Sequence, residues 1–162
     1  MSEPDEVDAI VAAWKRERPD VDVSAMQVLS RVTRLARHLD RARKQAFEAH
    51  DLETWEFDVL AALRRAGEPY DLSPGRLVAE TLVTSGTMTN RVDRLESRGL
   101  VERRPDPNDR RGVLVSLTAS GRATVDAALD ELLDREREIL EPLGIDEATR
   151  LADALRLLAR SL

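Results

Sequence analysis

"VERRPDPNDRRGVLVSLT", residues 101–118, is the stretch on which the fold turns. Its flanks, "LVERR" and "GVLVSL", are short β-branched or alternating runs, the period of 2 that marks strands. Between them "PDPNDRR" holds Pro105, Pro107, an Asn-Asp pair and the adjacent Arg110 and Arg111. The stretch predicts a hairpin with a long loop, stiffened by proline and carrying two arginines. Asp109 beside them can hold a guanidinium in one direction by a charge-assisted hydrogen bond.

The residues just upstream give that loop a meaning. Ser73-Pro74 reads as an N-cap followed by proline at the first helical position, which predicts a short helix to about Thr81. "LVT" is a tight connection, Thr84 or Ser85 caps the next helix, and Gly99 closes "SGTMTNRVDRLESRG". Two helices joined by so short a turn are the layout of a helix-turn-helix. Met88, Val92 and Leu95 share one face and anchor the second helix, while Thr87, Asn90, Arg91 and Arg94 project away. Short polar groups at a helix N-terminus, followed by arginine one and two turns later, suit a helix entering the major groove. A hairpin directly behind it is then a wing, and its arginines suit the enhanced negative potential of a narrow minor groove.

Outward from this centre the chain is helical. Val7, Ile10, Val11 and Trp14 form one stripe of a helix ending near Arg18-Pro19. From about Ser24 to His50 a longer helix carries Met26, Leu29, Val32, Leu35, Ala36 and Leu39 on one side. "LETWEFDVLAALRRAG" predicts a third helix, closed by Gly67 and followed by Pro69. Downstream, Thr118 caps a long helix to Leu140 and Asp146 caps a last one. The expected fold is mainly α with a small β-hairpin wing. Its parts are an N-terminal helical extension and long helix (1–50), a winged helix-turn-helix (51–117) and C-terminal helices (118–162).

Composition narrows the function. The absence of cysteine fits a reducing cytoplasm and removes thiolate catalysis and Cys-ligated zinc. His38 and His50 lie far apart in polar surroundings, so no metal site or cofactor is expected. No leader-like segment and no run of 18 apolar residues is present, so a cytoplasmic protein without a membrane span is expected. The net charge of -6 speaks against nucleic acid only as a sum. Residues 24–50 carry 6 basic against 2 acidic side chains, and residues 84–112 carry 7 against 5. Phosphate responds to the local field of such a patch, not to the total over the chain. No nucleophile with a base surrounds Ser85, Ser116 or the histidines, so an enzyme is not expected.

The run "SPGRLVAETLVTSGTMTNRVDRLESRGLVERRPDPNDRRGVLVSLTASG" resembles the core of the MarR family of winged-helix transcription regulators. It includes the Asp-x-Arg wing signature, as Asp109-Arg110-Arg111, and the "LT..G" that opens the long dimerisation helix. The resemblance implies a homodimer, with regions 1–50 and 118–162 as its dimerisation regions, binding double-stranded DNA at a pseudo-palindromic operator, with recognition helices about one duplex turn, on the order of 34 Å, apart. The residues expected on DNA are Ser85, Thr87, Thr89, Asn90, Arg91, Arg94, Arg104, Asp109, Arg110 and Arg111.

The added N-terminal helix with its tryptophan, followed by "ERPDVDVSAMQVLSRVTRLAR", is similar to the urate-responsive subgroup of that family. The subgroup's ligand positions fall on Trp14, Asp58 and Arg65, and its relay positions on Arg91 and Arg103. Carried over, its mechanism places a small anion between Trp14 and Arg65. The anion's charge repels Asp58, loosens Asp58 from Arg103 and so disturbs Arg91. The residues also admit plainer readings: Trp14 as packing, Asp58 with Arg65 as a structural ion pair, Arg103 and Arg104 as strand-edge charges. The expected function is a repressor released from DNA by a urate-like or tricarboxylate anion. The alternative is a winged-helix interaction module that binds no DNA.

Overall fold

The computed structural model describes residues 3–160. The chain divides into two compact units, Met1–Ala42 and Arg43–Leu162.

In the first unit α1 (Glu6–Glu17) opens with a capping box. The Asp5 carboxylate accepts from the backbone N–H groups of Val7 and Asp8, and the Asp8 carboxylate accepts from that of Asp5. Val7 and Val11 are buried, and α1 ends before Pro19. α2 (Met26–Glu48) begins in this unit, where Arg31 pairs with Asp5 and Asp8 and Arg34 with Glu6. Those guanidiniums hold the Asp5 and Glu6 carboxyls below their ordinary values, through charge-assisted bonds first.

The core lies in the second unit around α3 (Thr54–Arg65), whose Phe57, Val59, Leu60 and Leu63 are buried. Each such side chain contributes roughly 1.5–3 kcal/mol by leaving water. Phe57 stacks on Phe47 at 4.0 Å between ring centroids. Next come α4 (Pro74–Thr81) and α5 (Ser85–Ser97). α4 has Ser73 as its cap, accepting from the Arg76 N–H, and Pro74 at its start. α4 and α5 are joined through Leu82, which adopts a left-handed conformation and is 91% exposed. Met88, Val92 and Leu95 anchor α5, as their spacing predicts.

A three-stranded antiparallel sheet follows the order β1-β3-β2, with β1 at Asp71–Leu72, β2 at Val101–Asp106 and β3 at Asp109–Leu117. β1 escapes sequence reading because two residues show no alternation; its pairing of Leu72 with Val115 makes β3 the central strand. Between the strands the structure departs from the expected long loop. β2 and β3 run on until Asp106 faces Asp109, leaving Pro107 and Asn108 as the turn. The ladder slips at Pro105/Asp106, where proline's missing N–H is tolerated because β2 is an edge strand.

α6 (Ala119–Leu140) starts from Thr118, whose hydroxyl accepts from the Gly121 N–H and donates to the Gly99 carbonyl. A Cβ at Gly121 would lie 1.9 Å from the Leu100 carbonyl oxygen, so the glycine lets α6 start against the backbone entering β2. α7 (Ile145–Ala159) is capped by Gly144 rather than by Asp146, which instead sits in the first turn with Glu147, where acidic charge meets the positive helix end. Among the described residues no helix is long and apolar enough to cross a membrane, and no group of three or more His, Asp or Glu side chains could hold a metal ion.

Candidate nucleic-acid interface

The N-terminal turn of α5 is tightly organised. Thr84 caps it, accepting from the Thr87 N–H, and the Thr84 and Thr87 hydroxyls are 2.9 Å apart. The Thr89 hydroxyl donates to the Ser85 carbonyl, so it turns back on its own helix. Ser85, Gly86, Thr87, Thr89 and Asn90 are all exposed. A concavity of about 490 Å³ is lined by Trp55, Gly86, Thr87, Asn90, Arg91 and Arg94. It brings together most of the α5 residues expected on DNA and adds one from α3.

That addition matters for the arginines. The Arg94 guanidinium lies 4.7 Å from the Trp55 ring centroid and Arg91 5.3 Å, both within cation–π range. Arg94 Nη2 donates to Glu53 Oε1 at 2.6 Å, while Trp55 Nε1 donates to Glu53 Oε2 at 2.9 Å. The indole N–H first, and then the guanidinium, hold the Glu53 carboxyl below its ordinary value. Arg94 therefore does not project freely. Arg91 meets the ring and, among the described residues, has no carboxylate partner.

Three further arginines are tied down. Arg98 bonds Glu56 at 2.6 Å and Asp51 at 2.9 Å. Glu56 is 1% exposed and also accepts from the Glu53 N–H, so a buried carboxylate joins the start of α3 to the end of α5. Arg103, from β2, pairs with Asp93 and Glu96 on α5, and its N–H donates to Glu96 at 3.1 Å. The hydrogen bond to Asp93 chiefly raises its already high pKa. Arg104 bonds its strand neighbour Glu102.

The wing tip differs. Asp109 does not hold a guanidinium; its carboxylate accepts from the Arg111 backbone N–H at 2.9 Å, and Asp106 accepts likewise from Asn108. These aspartates build the turn because a side-chain oxygen two residues back is well placed for a backbone donor. Arg110 and Arg111 lie exposed at the start of β3, and among the described residues neither guanidinium has a hydrogen bond or ion pair. Gly112 is required beside them, since a Cβ would meet that of Asp106 at 2.8 Å.

The expected ligand residues are only partly brought together. Asp58 and Arg65 line one concavity of about 240 Å³ with Glu80, Thr81 and Leu82. They are not paired with each other: Asp58 meets Arg43 at 3.4 Å, and Arg65 meets Glu80 at 3.7 Å. The expected contact of Asp58 with Arg103 is absent too, because Arg103 is occupied by the two α5 carboxylates. Asp58 is about half exposed; the deeply buried acid of α3 is its neighbour Glu56. Trp14 belongs to the first unit, on α1, and is 48% exposed.

Glu53 and Trp55 were not anticipated. The available signal was a glutamate at a helix N-cap, a place that favours Ser, Thr, Asp or Asn.

Comparison with known proteins agrees with this geometry. Residues 50–112 match the MarR family model. The chain is 41% identical over 146 residues to the HTH-type transcriptional regulator PecS of Dickeya dadantii, covering 90% of this chain and 88% of that protein. A mutant MarR from E. coli, solved in complex with operator DNA, superposes with a TM-score of 0.68 at 31% identity, over 85% of this chain and 99% of that one. The multiple antibiotic resistance repressor MarR gives a TM-score of 0.68 at 30% identity, over 81% and 94%. With a helix-turn-helix, a wing and relatives of this similarity along most of its length, the chain belongs to the MarR family and is a transcriptional regulator, not an enzyme.

Proposed function

We propose that the protein is a homodimeric repressor that grips a pseudo-palindromic operator with α5 and the wing and lets go when a small anionic metabolite, urate-like or a tricarboxylate, binds. The observation that carries the DNA part is the pairing of an exposed polar N-terminal face on α5 with two wing arginines free of internal carboxylates. The MarR–operator complex and the repressor MarR support the same reading by similarity.

Dimerisation is supported by α7. None of its residues is buried, and Ile145, Leu151, Leu155 and Leu157 are 82%, 37%, 40% and 72% exposed. An amphipathic helix with so much apolar surface needs a partner, and a second copy supplies one.

Ligand response is supported by the concavity of Asp58 and Arg65. Its wall includes Thr81 and Leu82, at the turn of the helix-turn-helix itself. An anion drawn to Arg65 competes with Glu80, the carboxylate on α4, and crowds Asp58. Either effect bears on the angle between α4 and α5. The relay then reaches DNA through Arg103, whose bonds to Asp93 and Glu96 set the wing against the recognition helix.

The test is binding of the purified protein to the DNA upstream of its own gene at fixed salt, titrated with urate, citrate and trans-aconitate. Release by one of them is expected at micromolar to millimolar concentration. Arg65→Ala should abolish release and leave DNA affinity nearly intact. A variant that still responds refutes the assignment of Arg65.

A further inference from the structure

Glu53 and Trp55 stand at the start of α3, outside the helix-turn-helix, yet their side chains end on its recognition helix. We infer that Glu53, fixed by Trp55, is a specificity-determining positioning residue: it aims Arg94 at a base edge and withholds it from phosphates. The inference rests on the reading that α5 enters operator DNA.

Local structure is the first support. Glu53 occupies the N-cap of α3, where the Glu56 carboxylate accepts from its backbone N–H at 2.9 Å and so fixes the backbone from which the Glu53 side chain departs. One carboxylate oxygen takes the Trp55 N–H and the other takes Arg94. Both oxygens are engaged by groups from different directions, so the carboxylate cannot swing freely.

The second support is the donor count. Arginine has five N–H donors in a rigid fork, and only Nη2 of Arg94 is used by Glu53. The remaining donors stay available to a base edge while the Glu53 bond persists. A phosphate approaching Arg94 instead meets the Glu53 carboxylate beside it, and like charges repel. Glu53 therefore opposes engagement of the backbone, which every sequence offers, and tolerates engagement of a base edge, which only the right sequence offers.

The third support is the ring. Arg91 and Arg94 lie one turn apart on the same face, both over Trp55. A flat indole shared by two cations sets their planes and keeps the pair close despite mutual repulsion. Glu53 completes the arrangement by neutralising one of them. Glu53 and Arg94 are both more than half exposed on their side chains, so the bond can still exchange when a wrong orientation must be abandoned.

The experiment measures binding of the full-length protein to its footprinted upstream site and to a shuffled duplex of equal length, each across a range of salt. Glu53→Gln should raise affinity for the shuffled duplex by roughly fivefold and steepen its salt slope by about 0.9, one added phosphate contact. Affinity for the true site should stay within about twofold, so the specificity ratio falls. Trp55→Phe, which keeps a ring but loses the N–H, should move the ratio the same way by less. Glu48→Gln serves as control: it removes a carboxylate from the concavity that also holds Glu53 and Arg94, but one whose ion pair is with Lys44. An unchanged ratio in Glu53→Gln, or an equal shift in Glu48→Gln, overturns the inference while the DNA-binding reading stands. A wild-type protein that binds neither duplex overturns that reading, and this inference with it.

Discussion

On α5 and the strand beside it, Arg94, Arg98 and Arg103 each end on carboxylates of the same chain. At the wing tip, Arg110 and Arg111 end on none among the described residues. Both regions present positive charge, but the first has its charge arranged in advance and partly neutralised, and the second leaves its charge open to solvent. A tethered guanidinium contributes direction and rigidity; an untethered one contributes attraction to any phosphate within reach. The difference shows how a chain of net charge -6 can present a basic surface: acidic residues beside α5 restrain particular arginines instead of cancelling the patch.

The comparison breaks most sharply at Arg98. Arg98→Ala leaves the Glu56 carboxylate buried without its cation, and removing one partner of such a pair costs about 3 kcal/mol, near the lower end for buried pairs because Arg98 itself is partly exposed. Thermal unfolding should move down by roughly 6–12 °C. A melting temperature unchanged in Arg98→Ala contradicts the structural role assigned to the tethered set.

The wing gives the next largest effect, on binding and not on stability. Arg110→Ala with Arg111→Ala should weaken operator binding by roughly ten- to a hundredfold and make the salt slope shallower by up to about 2. Unfolding should be unaffected, since neither side chain holds anything in place. Equal affinity and slope in the double variant would remove the wing from the interface.

A smaller effect separates the charge of the wing from its shape. Gly112→Ala forces a Cβ into Asp106 and opens the turn that aims both arginines. Affinity should fall by about three- to tenfold with the salt slope retained, because the charges remain but their placement does not. A shallower slope would show that the turn governs contact number as well.

The smallest effect is a titration. The Trp55 N–H and the Arg94 guanidinium hold the Glu53 carboxyl below its ordinary value in the folded protein, so its bond to Arg94 is intact from neutrality down through the usual carboxylate range. The bond is lost only as pH falls through the depressed folded value. Carboxyl NMR should place the Glu53 midpoint below that of an ordinary glutamate, and Arg94→Ala should return it part of the way, since Trp55 still donates.

Much of this was legible in the sequence, and the limits have physical reasons. Ser73-Pro74, Thr84, Gly99 and Thr118 mark helix ends because caps are local chemistry, and their positions hold within a residue or so. The anchors Met88, Val92 and Leu95 follow from helical period alone. The turn of the wing came out shorter than expected because strand pairing across a proline depends on the partner strand, which a local pattern does not contain. Asp109 reads in sequence as a guanidinium partner, but the backbone N–H of Arg111, two residues on, takes its carboxylate. The partners of Asp58, Arg65 and Arg103 were not legible, since each lies on another element and spacing along one helix is silent about it. Glu53 and Trp55 are not legible as site residues because they precede the motif in sequence and join it only in space.

The close seat of Gly121 against Leu100 has a mechanical consequence. α6 has 22 residues and is thus about 33 Å long at 1.5 Å per residue. Its first turn is fastened to the chain just after α5 and just before the wing, so α6 is a long arm whose near end carries the junction between those two elements. Pivoting α6 about its far end by about 10° would sweep that junction through roughly 6 Å, nearly two base-pair steps along a duplex. Whatever fixes the far end of α6 thereby fixes where the wing and α5, the elements proposed to meet DNA, are held.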